Sequence, residues 1–326
     1  MTRATVIGAG AWGTALADAL ARNGHATTLW AREPDVVAEI NADHRNTRFL
    51  AGFELDPALR AEGDGHAAVH EATTIVFVAP SHVLRAVARS IAAAVPADAL
   101  LVVATKGIER ESFALMTDVI AEELPGRRVV ALSGPSFAAE VAARQPTAIV
   151  AACTHGDAAR TVQELFSSDA LRVYTQHDVV GVELGGALKN VMAVATGVLD
   201  GLGLGFNPRA ALITRGLAEM TRLGVALGGE PATFAGLAGL GDLVLTCTGS
   251  LSRNRTVGVE IGQGRPVAEV LASRETVAEG VVTTQSAWAL AQARGVAMPI
   301  VEAMHRVLFE GMAPRVAVQE LMQRAL

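Results

Sequence analysis

Residues 4–13, Ala4-Thr5-Val6-Ile7-Gly8-Ala9-Gly10-Ala11-Trp12-Gly13, decide the fold of this chain. The residues before Gly8 predict a buried strand, and the stretch from Ala11 to Arg22 predicts a helix that ends at Asn23-Gly24. A bare G-x-G-x-x-G is common in a chain rich in Ala and Gly. Between a strand and a helix, however, the first glycine makes a tight turn, the second admits a pyrophosphate and the third lets helix and strand pack closely. The stretch therefore predicts a dinucleotide site, with the phosphates at the helix N-terminus.

The first half of the chain alternates short apolar runs with helical stretches, which is typical of a parallel sheet with crossover helices. Two of the runs, Ile75 to Val78 and Leu100 to Val103, are continuously apolar and so predict strands covered on both faces. The predicted strands are Ala4 to Ile7, Ala26 to Trp30, Thr74 to Ala79, Leu100 to Ala104, Val129 to Leu132 and Thr147 to Ala151. We expect an α/β fold with a doubly wound, Rossmann-type parallel sheet.

After about Gln176 the strand-like runs end, and Ala, Leu, Met and Glu recur at helical spacing. The sequence therefore predicts two domains, a dinucleotide-binding domain over residues 1–178 and an all-helical, substrate-binding domain over residues 179–326. Two glycine-rich tracts, Gly197 to Gly205 and Gly236 to Gly249, interrupt the helical pattern. We expect the second tract to form a loop, and loops of this kind often hold ligands.

Composition limits the class of partner. The chain has 326 residues, 51% of them hydrophobic and 18% charged, so it can bury a large core. Its net charge of −6 argues against nucleic acid or an anionic membrane as main partner and leaves small anions open. No run reaches membrane-span length, and residues 1–4 lead straight into a strand pattern without signal-peptide features. With Cys153 and Cys247 alone, and no metal-ligand spacing, we expect a cytoplasmic protein without a metal.

Only two lysines occur, Lys106 and Lys189, against 25 arginines. An arginine keeps its proton, whereas burial can bring the pKa of an ammonium toward neutrality, which suits proton transfer. Lysine-poor codon usage is the alternative explanation. The positions favour chemistry, because Lys106 follows the apolar run Leu100 to Val103 and Lys189 lies in a stretch of apolar and small residues. We therefore predict that both lysines serve the reaction.

The end of the second predicted strand bears on the choice of dinucleotide. There an acid would bind the 2′-hydroxyl of NAD, and an arginine would accept the 2′-phosphate of NADP. The chain reads Arg32-Glu33-Pro34, so the arginine comes first and we expect NADP to be accepted without excluding NAD. An acid beside Pro34 is also favoured simply by the dipole of the helix that begins there.

Two further segments could bind an anion. Ser133-Gly134-Pro135-Ser136-Phe137 closes a strand and offers backbone N–H groups and hydroxyls, although Ser136 could be no more than a helix cap. Ser252-Arg253-Asn254-Arg255 places two guanidinium groups and an amide together in an acidic chain. This segment is either a solvated turn or a clamp for a phosphate group.

Taken together, these motifs closely resemble the bacterial NAD(P)-dependent glycerol-3-phosphate dehydrogenases over essentially the whole chain. The resemblance rests on the segments 8–17, 104–109, 132–138, 187–191, 239–243 with Thr246-Cys247, 252–255 and Glu279-Gly280. One departure is Phe49-Leu50-Ala51, where many members read Tyr-Leu-Pro; it affects a loop near the cofactor.

The resemblance implies reversible reduction of dihydroxyacetone phosphate to sn-glycerol 3-phosphate, a precursor of phospholipids, with NADPH or NADH and in a possible homodimer. It implies that Lys189 is the general acid and base, in a catalytic group with Lys106, Asn190, Asp242 and Thr246. The implied substrate contacts are Lys106, Gly134, Ser136, Lys189, Asp242, Ser252, Arg253 and Asn254. The implied cofactor contacts are Gly8, Gly10, Ala11, Trp12, Gly13, Arg32, Lys106, Ala138, Arg253, Val277 and Glu279.

Two other classes of protein share part of this pattern. A two-domain dehydrogenase of the 6-phosphogluconate type would have the glycines and a Lys-Asn pair, but Asp242 and the Ser252 to Arg255 segment favour the triose phosphate. A non-enzymatic nucleotide sensor would have the first domain and would need no proton donor such as Lys189. The electrostatic balance at Lys189 stays open at this point, because Lys106 would lower its pKa and Asp242 would raise it.

Overall fold

The computed structural model describes residues 2–274 and 278–323. The chain divides into two compact units, one of Met1–Thr105 with Met116–Val179 and one of Lys106–Leu115 with Val180–Leu326. The short segment Lys106–Leu115 therefore belongs to the second unit, although it lies within the first half of the sequence. We keep residues 178 and 179 as the proposed boundary between the main parts of the two domains.

The first unit is built on one eight-stranded sheet, and the predicted fold class is confirmed. Its strands in sheet order are β3-β2-β1-β4-β5-β6-β7-β8. Their bounds are β1 Arg3–Ile7, β2 Ala26–Trp30, β3 Arg60–Glu62, β4 Thr74–Phe77, β5 Leu100–Val103, β6 Val129–Ser133, β7 Thr147–Ala152 and β8 Leu171–Gln176. All six predicted strands are present, and β3 and β8 were missed. The first has three residues, and the second, Leu-Arg-Val-Tyr-Thr-Gln, is largely polar.

Two strands, β7 and β8, run opposite to the other six, against the expectation of a parallel sheet. β7 pairs with β6 antiparallel, whereas β7 and β8 are parallel to each other. The connection between β6 and β7 contains a helix of five residues, Ala138–Ala142, and turns through Gly134 at φ 135° and Arg144 at φ 57°. A crossover between parallel strands normally needs a dozen or more residues, usually in a helix that crosses the face of the sheet. The five-residue helix of this connection is too short for that, which fits the antiparallel pairing.

The remaining elements are helices. In the first unit they are α1 Ala11–Arg22, α2 Pro34–Asp43, α3 Gly65–Val69, α4 Leu84–Ile91, α5 Met116–Glu123, α6 Ala138–Ala142 and α7 Gly156–Phe166, with 3₁₀ turns at Ser81–Val83 and Ala92–Ala94. In the second unit they are α8 Val179–Gly201, α9 Phe206–Ala226, α10 Pro231–Phe234, α11 Asp242–Thr248, α12 Arg253–Gly262, α13 Val267–Ala272, α14 Glu279–Ala293, α15 Pro299–Phe309 and α16 Pro314–Gln323, with a π turn at Leu237–Gly241.

Helix α8 is the core of the second unit, and every residue from Gly181 to Leu199 is buried. Glycines let other helices approach it closely. A Cβ on Gly258 of α12 would collide with the carbonyl oxygen of Val194, and one on Gly280 of α14 would collide with that of Asn190. These glycines are therefore required for helix-to-helix packing, and not for flexibility.

The glycine-rich tract Gly236 to Gly249 is mostly helical, so the expectation of a loop was wrong. A π turn, Leu237–Gly241, leads directly into α11. Gly239 is buried, and a Cβ there would collide with backbone atoms of Phe234. A glycine is needed at this position because the two backbones lie so close together. From a single sequence, glycines required for close packing cannot be distinguished from glycines of a loop.

The expectation that no run reaches membrane-span length was wrong: by length and composition, two helical stretches of the described residues could cross a membrane, Val179–Gly201 and Pro231–Thr248. In the first, 89% of the apolar window is buried inside the protein. The burial of α8 among other helices therefore accounts for its apolar sequence.

Candidate active site

The glycine turn after β1 has the geometry that a pyrophosphate requires. Gly8 has φ 116°, which L side chains rarely adopt, and a Cβ on Gly13 would collide with the carbonyl oxygen of Gly8. At Gly10, by contrast, a Cβ would meet no atom of the described residues within 4 Å, and the residue is exposed. The first and third glycines thus serve the turn and the helix packing, and the second leaves an open backbone face for a ligand.

Helix α1 begins at this turn without a side-chain cap. Its N-cap residue is Gly10, and the first intrahelical bond runs from Thr14 N to Gly10 O at 2.9 Å. The N–H groups of the first turn, including those of Ala11 and Trp12, are therefore suited to an anion. The buried indole Nε1 of Trp12 also finds no acceptor among the residues that the structure describes.

Arg32 follows β2 and is 83% exposed, and its Nη2 lies 3.0 Å from Oε1 of Glu33. Glu33 is the N-cap residue of α2 but makes no capping bond through its side chain. Its carboxylate is instead engaged by the guanidinium of Arg32, which could turn to a 2′-phosphate because most of it faces solvent.

Gly134 and Ser136 lie in the turn after β6. The Oγ of Ser136 donates to the carbonyl oxygen of Gly134 at 3.1 Å, and the N-cap residue of α6 is Phe137. Ser136 is therefore not the helix cap that the sequence left open as an alternative. Ala138 is the first residue of α6.

In the second unit, one carboxylate joins the two lysines. Lys189 Nζ donates to Oδ1 of Asp242 at 2.6 Å, and Lys106 Nζ donates to Oδ2 of the same residue at 2.6 Å. Thr246 Oγ1 accepts from Lys189 Nζ at 2.8 Å and donates to the carbonyl oxygen of Asp242 at 2.7 Å. Asp242 is fully buried. Four of the five residues that the resemblance placed in a catalytic group therefore form one hydrogen-bonded cluster.

Local structure explains how Asp242 reaches α8. The π turn places Asp242 at the start of α11, and Thr246 lies four residues later on the same face of that helix. Gly185 of α8 approaches the turn so closely that a Cβ there would collide with the carbonyl oxygen of Ala238. Lys189, one helical turn beyond Gly185, therefore faces α11 at hydrogen-bonding distance.

The surroundings of Lys189 lower its pKa from the ordinary value of 10.5 to about 8. Burial of the ammonium is the largest cause, and the nearby charge of Lys106 acts in the same direction. Asp242 opposes both and raises the pKa. This answers the question that the sequence left open: desolvation, which acts on the charged form alone, outweighs the carboxylate. A group with this pKa can give and take a proton near neutral pH.

Asn190, the fifth residue of the group, contacts the segment predicted to bind phosphate. Asn254 Nδ2 donates to Oδ1 of Asn190 at 2.9 Å, and Asn254 Oδ1 accepts from Gly280 N at 2.9 Å. The side chain of Asn254 thus links α12 to α8 and to the start of α14. Ser252 caps α12 by accepting from Arg255 N at 3.2 Å, so this segment is a helix start and not a solvated turn.

The two arginines of this segment have different environments. Arg255 Nε donates to Oδ2 of Asp200 at 2.8 Å, and Arg209 Nε donates to Oδ1 of Asp200 at 3.0 Å. The guanidinium of Arg255 is therefore held by α8, which makes it unsuited to a phosphate clamp. Arg253 is exposed; desolvation lowers its pKa, and the charge of Glu279 opposes that effect.

Three observations concern residues outside the cluster of Lys106, Lys189, Asp242 and Thr246. The sequence reasoning missed Asp200, which its position on α8, eleven residues after Lys189 and so on the same helix face, could have indicated. Val277, an implied cofactor contact, lies outside the described residues. Within residues 2–274 and 278–323, no group of three or more His, Cys, Asp or Glu side chains could hold a metal ion.

A mostly parallel sheet with an open glycine turn, together with a helical unit that buries a lysine of lowered pKa, defines the class of two-domain NAD(P)-dependent dehydrogenases. Comparison with known proteins narrows this class. The chain belongs to the NAD-dependent glycerol-3-phosphate dehydrogenase family, whose N-terminal model matches residues 3–159 and whose C-terminal model matches residues 178–319.

Similar proteins agree over nearly the whole length. The glycerol-3-phosphate dehydrogenase (NAD(P)+) of Citrifermentans bemidjiense is 53% identical over 324 residues, covering 98% of this chain and 97% of the relative. That of Geobacter metallireducens is 55% identical over 322 residues, covering 98% and 96%. The crystal structure of glycerol-3-phosphate dehydrogenase from Coxiella burnetii matches with a TM-score of 0.95 at 42% identity, covering 99% of each chain. The chain is thus an NAD(P)-dependent oxidoreductase.

Proposed function

We propose that this chain catalyses the reversible reduction of dihydroxyacetone phosphate to sn-glycerol 3-phosphate, with Lys189 as general acid and base. The observation that carries the proposal is the buried ammonium of Lys189, which has a pKa of about 8 and is held by Asp242 and Thr246. Family membership supports the substrate, and the lysine cluster supports the mechanism.

When bound at the glycine turn, NAD(P)H would supply the hydride that adds to the carbonyl carbon in the reduction. Negative charge then develops on the carbonyl oxygen, and the ammonium of Lys189 stabilises that charge and donates a proton to the oxygen. In the oxidation, neutral Lys189 takes the proton of the hydroxyl group. Proton transfer by a positioned group of suitable pKa contributes a factor of about 10²–10⁴ to the rate.

The other members of the cluster orient this amine. Asp242 fixes two ammonium groups with its two oxygens, and Thr246 accepts a further hydrogen of Lys189. We propose that Lys106 adds positive charge beside the developing oxyanion. Asn190 follows Lys189 on α8 and points from a neighbouring face of the helix toward Asn254, from where it would orient the substrate.

The phosphate group of the substrate would lie at the start of α12. Ser252 caps that helix, the exposed residue Arg253 supplies a guanidinium that is partly shielded from solvent, and Asn254 follows at the second helical position. Because the side chain of Asn254 already bonds to Asn190 and Gly280, we assign its phosphate contact to the backbone N–H. Gly134 and Ser136 are proposed as further substrate contacts through the turn after β6.

The cofactor would use the glycine turn for its pyrophosphate. The open face of Gly10 and the uncapped start of α1 support this assignment. The proposed cofactor contacts are Gly8, Gly10, Ala11, Trp12, Gly13, Arg32, Lys106, Ala138, Arg253, Val277 and Glu279. We propose that NADPH is accepted through Arg32, and that NADH is accepted as well.

A substrate panel tests the proposal. Purified protein is assayed with dihydroxyacetone phosphate, dihydroxyacetone, 6-phosphogluconate and sn-glycerol 3-phosphate, with each nucleotide in turn. Turnover of dihydroxyacetone phosphate and sn-glycerol 3-phosphate alone is expected. Turnover of 6-phosphogluconate, or nucleotide binding without turnover of either of these two compounds, would overturn the assignment.

We further propose that the enzyme works in the cytoplasm as a homodimer and supplies sn-glycerol 3-phosphate for phospholipid synthesis. Support for this comes from the family likeness and from the reducing environment that suits two cysteines, both free and buried. Light scattering on the purified protein gives the oligomeric mass, and a monomer at micromolar concentration would contradict the dimer.

A further inference from the structure

The peptide that joins Ala9 to Gly10, inside the glycine turn, is held by two buried side chains. Asn46 Nδ2 donates to the carbonyl oxygen of Ala9 at 3.0 Å and to Oγ1 of Thr14 at 2.8 Å. Thr14 Oγ1 in turn donates to the same carbonyl oxygen at 3.2 Å. Asn46 and Thr14 both have 0% exposure. Three hydrogen bonds thus form a closed triangle around one backbone oxygen.

This triangle fixes the direction of a backbone donor. A trans peptide is planar, so its N–H points opposite to its C=O. With the oxygen of Ala9 held toward Asn46, the N–H of Gly10 must point the other way. Gly10 is exposed, and a Cβ on it would meet no described atom within 4 Å. The held peptide therefore presents its N–H on the open side of the turn.

We propose that Asn46 is a positioning residue for the cofactor: with Thr14 it locks the Ala9–Gly10 peptide so that the Gly10 N–H faces the pyrophosphate. This deepens the proposed cofactor site, because it explains what keeps that site ready for an anion. A free glycine-rich turn would sample both peptide orientations, and one of them would present a carbonyl oxygen to the phosphates.

The side chain of Asn46 makes three of the four hydrogen bonds that an asparagine side chain can make. The amide nitrogen donates twice, and Oδ1 accepts from Phe49 N at 3.2 Å. The loop that carries Asn46 is itself fixed, since Leu50 N donates to Asn46 O at 2.8 Å and Leu50 is buried. A carboxylate of the same shape would keep the bond to Phe49 and would place an oxygen against the carbonyl of Ala9.

The test measures direct binding of NADPH and of adenosine 2′-monophosphate, which lacks the pyrophosphate, by calorimetric titration. The variants are Asn46→Asp and Thr14→Val, with Thr14→Ser as the conservative variant that keeps the hydroxyl. Asn41→Asp is the matched control. Asn41 Nδ2 donates to Ala61 O at 2.9 Å, and its Oδ1 accepts from Ala61 N, so the same exchange breaks a similar bond elsewhere in this unit.

We expect Asn46→Asp to raise the Kd of NADPH by about 10- to 100-fold and Thr14→Val by about 3- to 10-fold, the range that lost hydrogen bonds produce. Thr14→Ser and Asn41→Asp should stay within about twofold of wild type, and the Kd of adenosine 2′-monophosphate should not change in any variant.

Three results would overturn the inference: an unchanged Kd of NADPH in Asn46→Asp, equal weakening of both ligands, or equal weakening in Asn41→Asp. If Asn46→Asp does not fold, the Kd of NADPH for Thr14→Val is compared with that for Thr14→Ser. Equal values for these two variants would then overturn the inference. Failure of the wild-type protein to bind NADPH would instead contradict the proposed cofactor site.

Discussion

Replacing Lys189 by arginine should abolish most turnover while leaving the charge in place. Arginine remains protonated in proteins, so it can stabilise an oxyanion but cannot exchange a proton. Lys189→Met removes both the charge and the proton. If the charge alone were needed, the arginine variant would keep activity and the methionine variant would lose it. We expect both variants to lose activity.

The size of the loss follows from the two pKa values. With a pKa of about 8, half of Lys189 is neutral near pH 8, ready to accept a proton from sn-glycerol 3-phosphate. The pKa of arginine lies far above that pH, so the guanidinium is almost never neutral there. Loss of general acid–base catalysis lowers kcat by about 10²–10⁴. The larger guanidinium in a packed site also costs about 1–3 kcal/mol of unfolding free energy.

The assay follows NADPH absorbance in both directions from pH 6 to 10. In the wild type, reduction needs protonated Lys189, so its rate should fall as pH rises through about 8. Oxidation needs the neutral amine, so its rate should rise over the same interval. Denaturation and NADPH titration of each variant check folding and binding. A folded Lys189→Arg protein that binds NADPH and turns over near the wild-type rate would refute the assignment, as would parallel pH profiles in the two directions.

Three further predictions concern other residues of the second unit. Asp242→Asn leaves two ammonium groups without their buried carboxylate, so we expect the free energy of unfolding in urea to fall by about 3–5 kcal/mol. We also expect the midpoint of the pH–rate profile to lie at lower pH than in the wild type, because Asp242 raises the pKa of Lys189. An unchanged midpoint would contradict the electrostatic role. Arg253→Ala should raise KM for dihydroxyacetone phosphate by about tenfold or more, and far more than KM for NADPH; equal changes in the two constants would point to a scaffold role. Gly258→Ala should cost about 1–3 kcal/mol of unfolding free energy, because the added methyl group meets the carbonyl oxygen of Val194. Gly205→Ala, with open space around the added methyl group, should be nearly neutral. Equal unfolding curves for the two variants would refute the packing argument.

Most of the sheet could be predicted because its strands are short, apolar and bounded by turn residues. Ile75 to Phe77 and Leu100 to Val103 are fully buried, and continuous apolarity predicts that directly. β8 could not be found in this way, since it carries exposed Arg172 and Tyr174. The antiparallel pairing of β6 with β7 also escaped prediction, because strand direction depends on how the connection turns and not on the residues of the strands.

The identities of the site residues were easier to predict than their contacts. Lys189 and Asp242 came from lysine scarcity and from motif resemblance, but their distance depends on the π turn, which a glycine-rich tract disguises as a loop. The sequence left open whether Arg255 contacts a phosphate, because its partner, Asp200, lies 55 residues away along the chain. Asn46 gave no local signal, since a buried asparagine in a loop reads as an ordinary turn residue.

The same small residues that obscured the sequence pattern explain the chemistry of the lysine. Burial is the main cause of the lowered pKa of Lys189, and burial requires that neighbouring backbones exclude water from around its ammonium. Gly185, four residues before Lys189, admits the turn at Ala238, and Gly280 admits α14 against the carbonyl of Asn190. Larger residues at these two positions would separate the helices and let water reach the amine, which would return its pKa toward 10.5. The glycines of the helical unit are therefore needed for the proton chemistry of Lys189, because the close packing that they allow keeps water away from the amine and lowers its pKa.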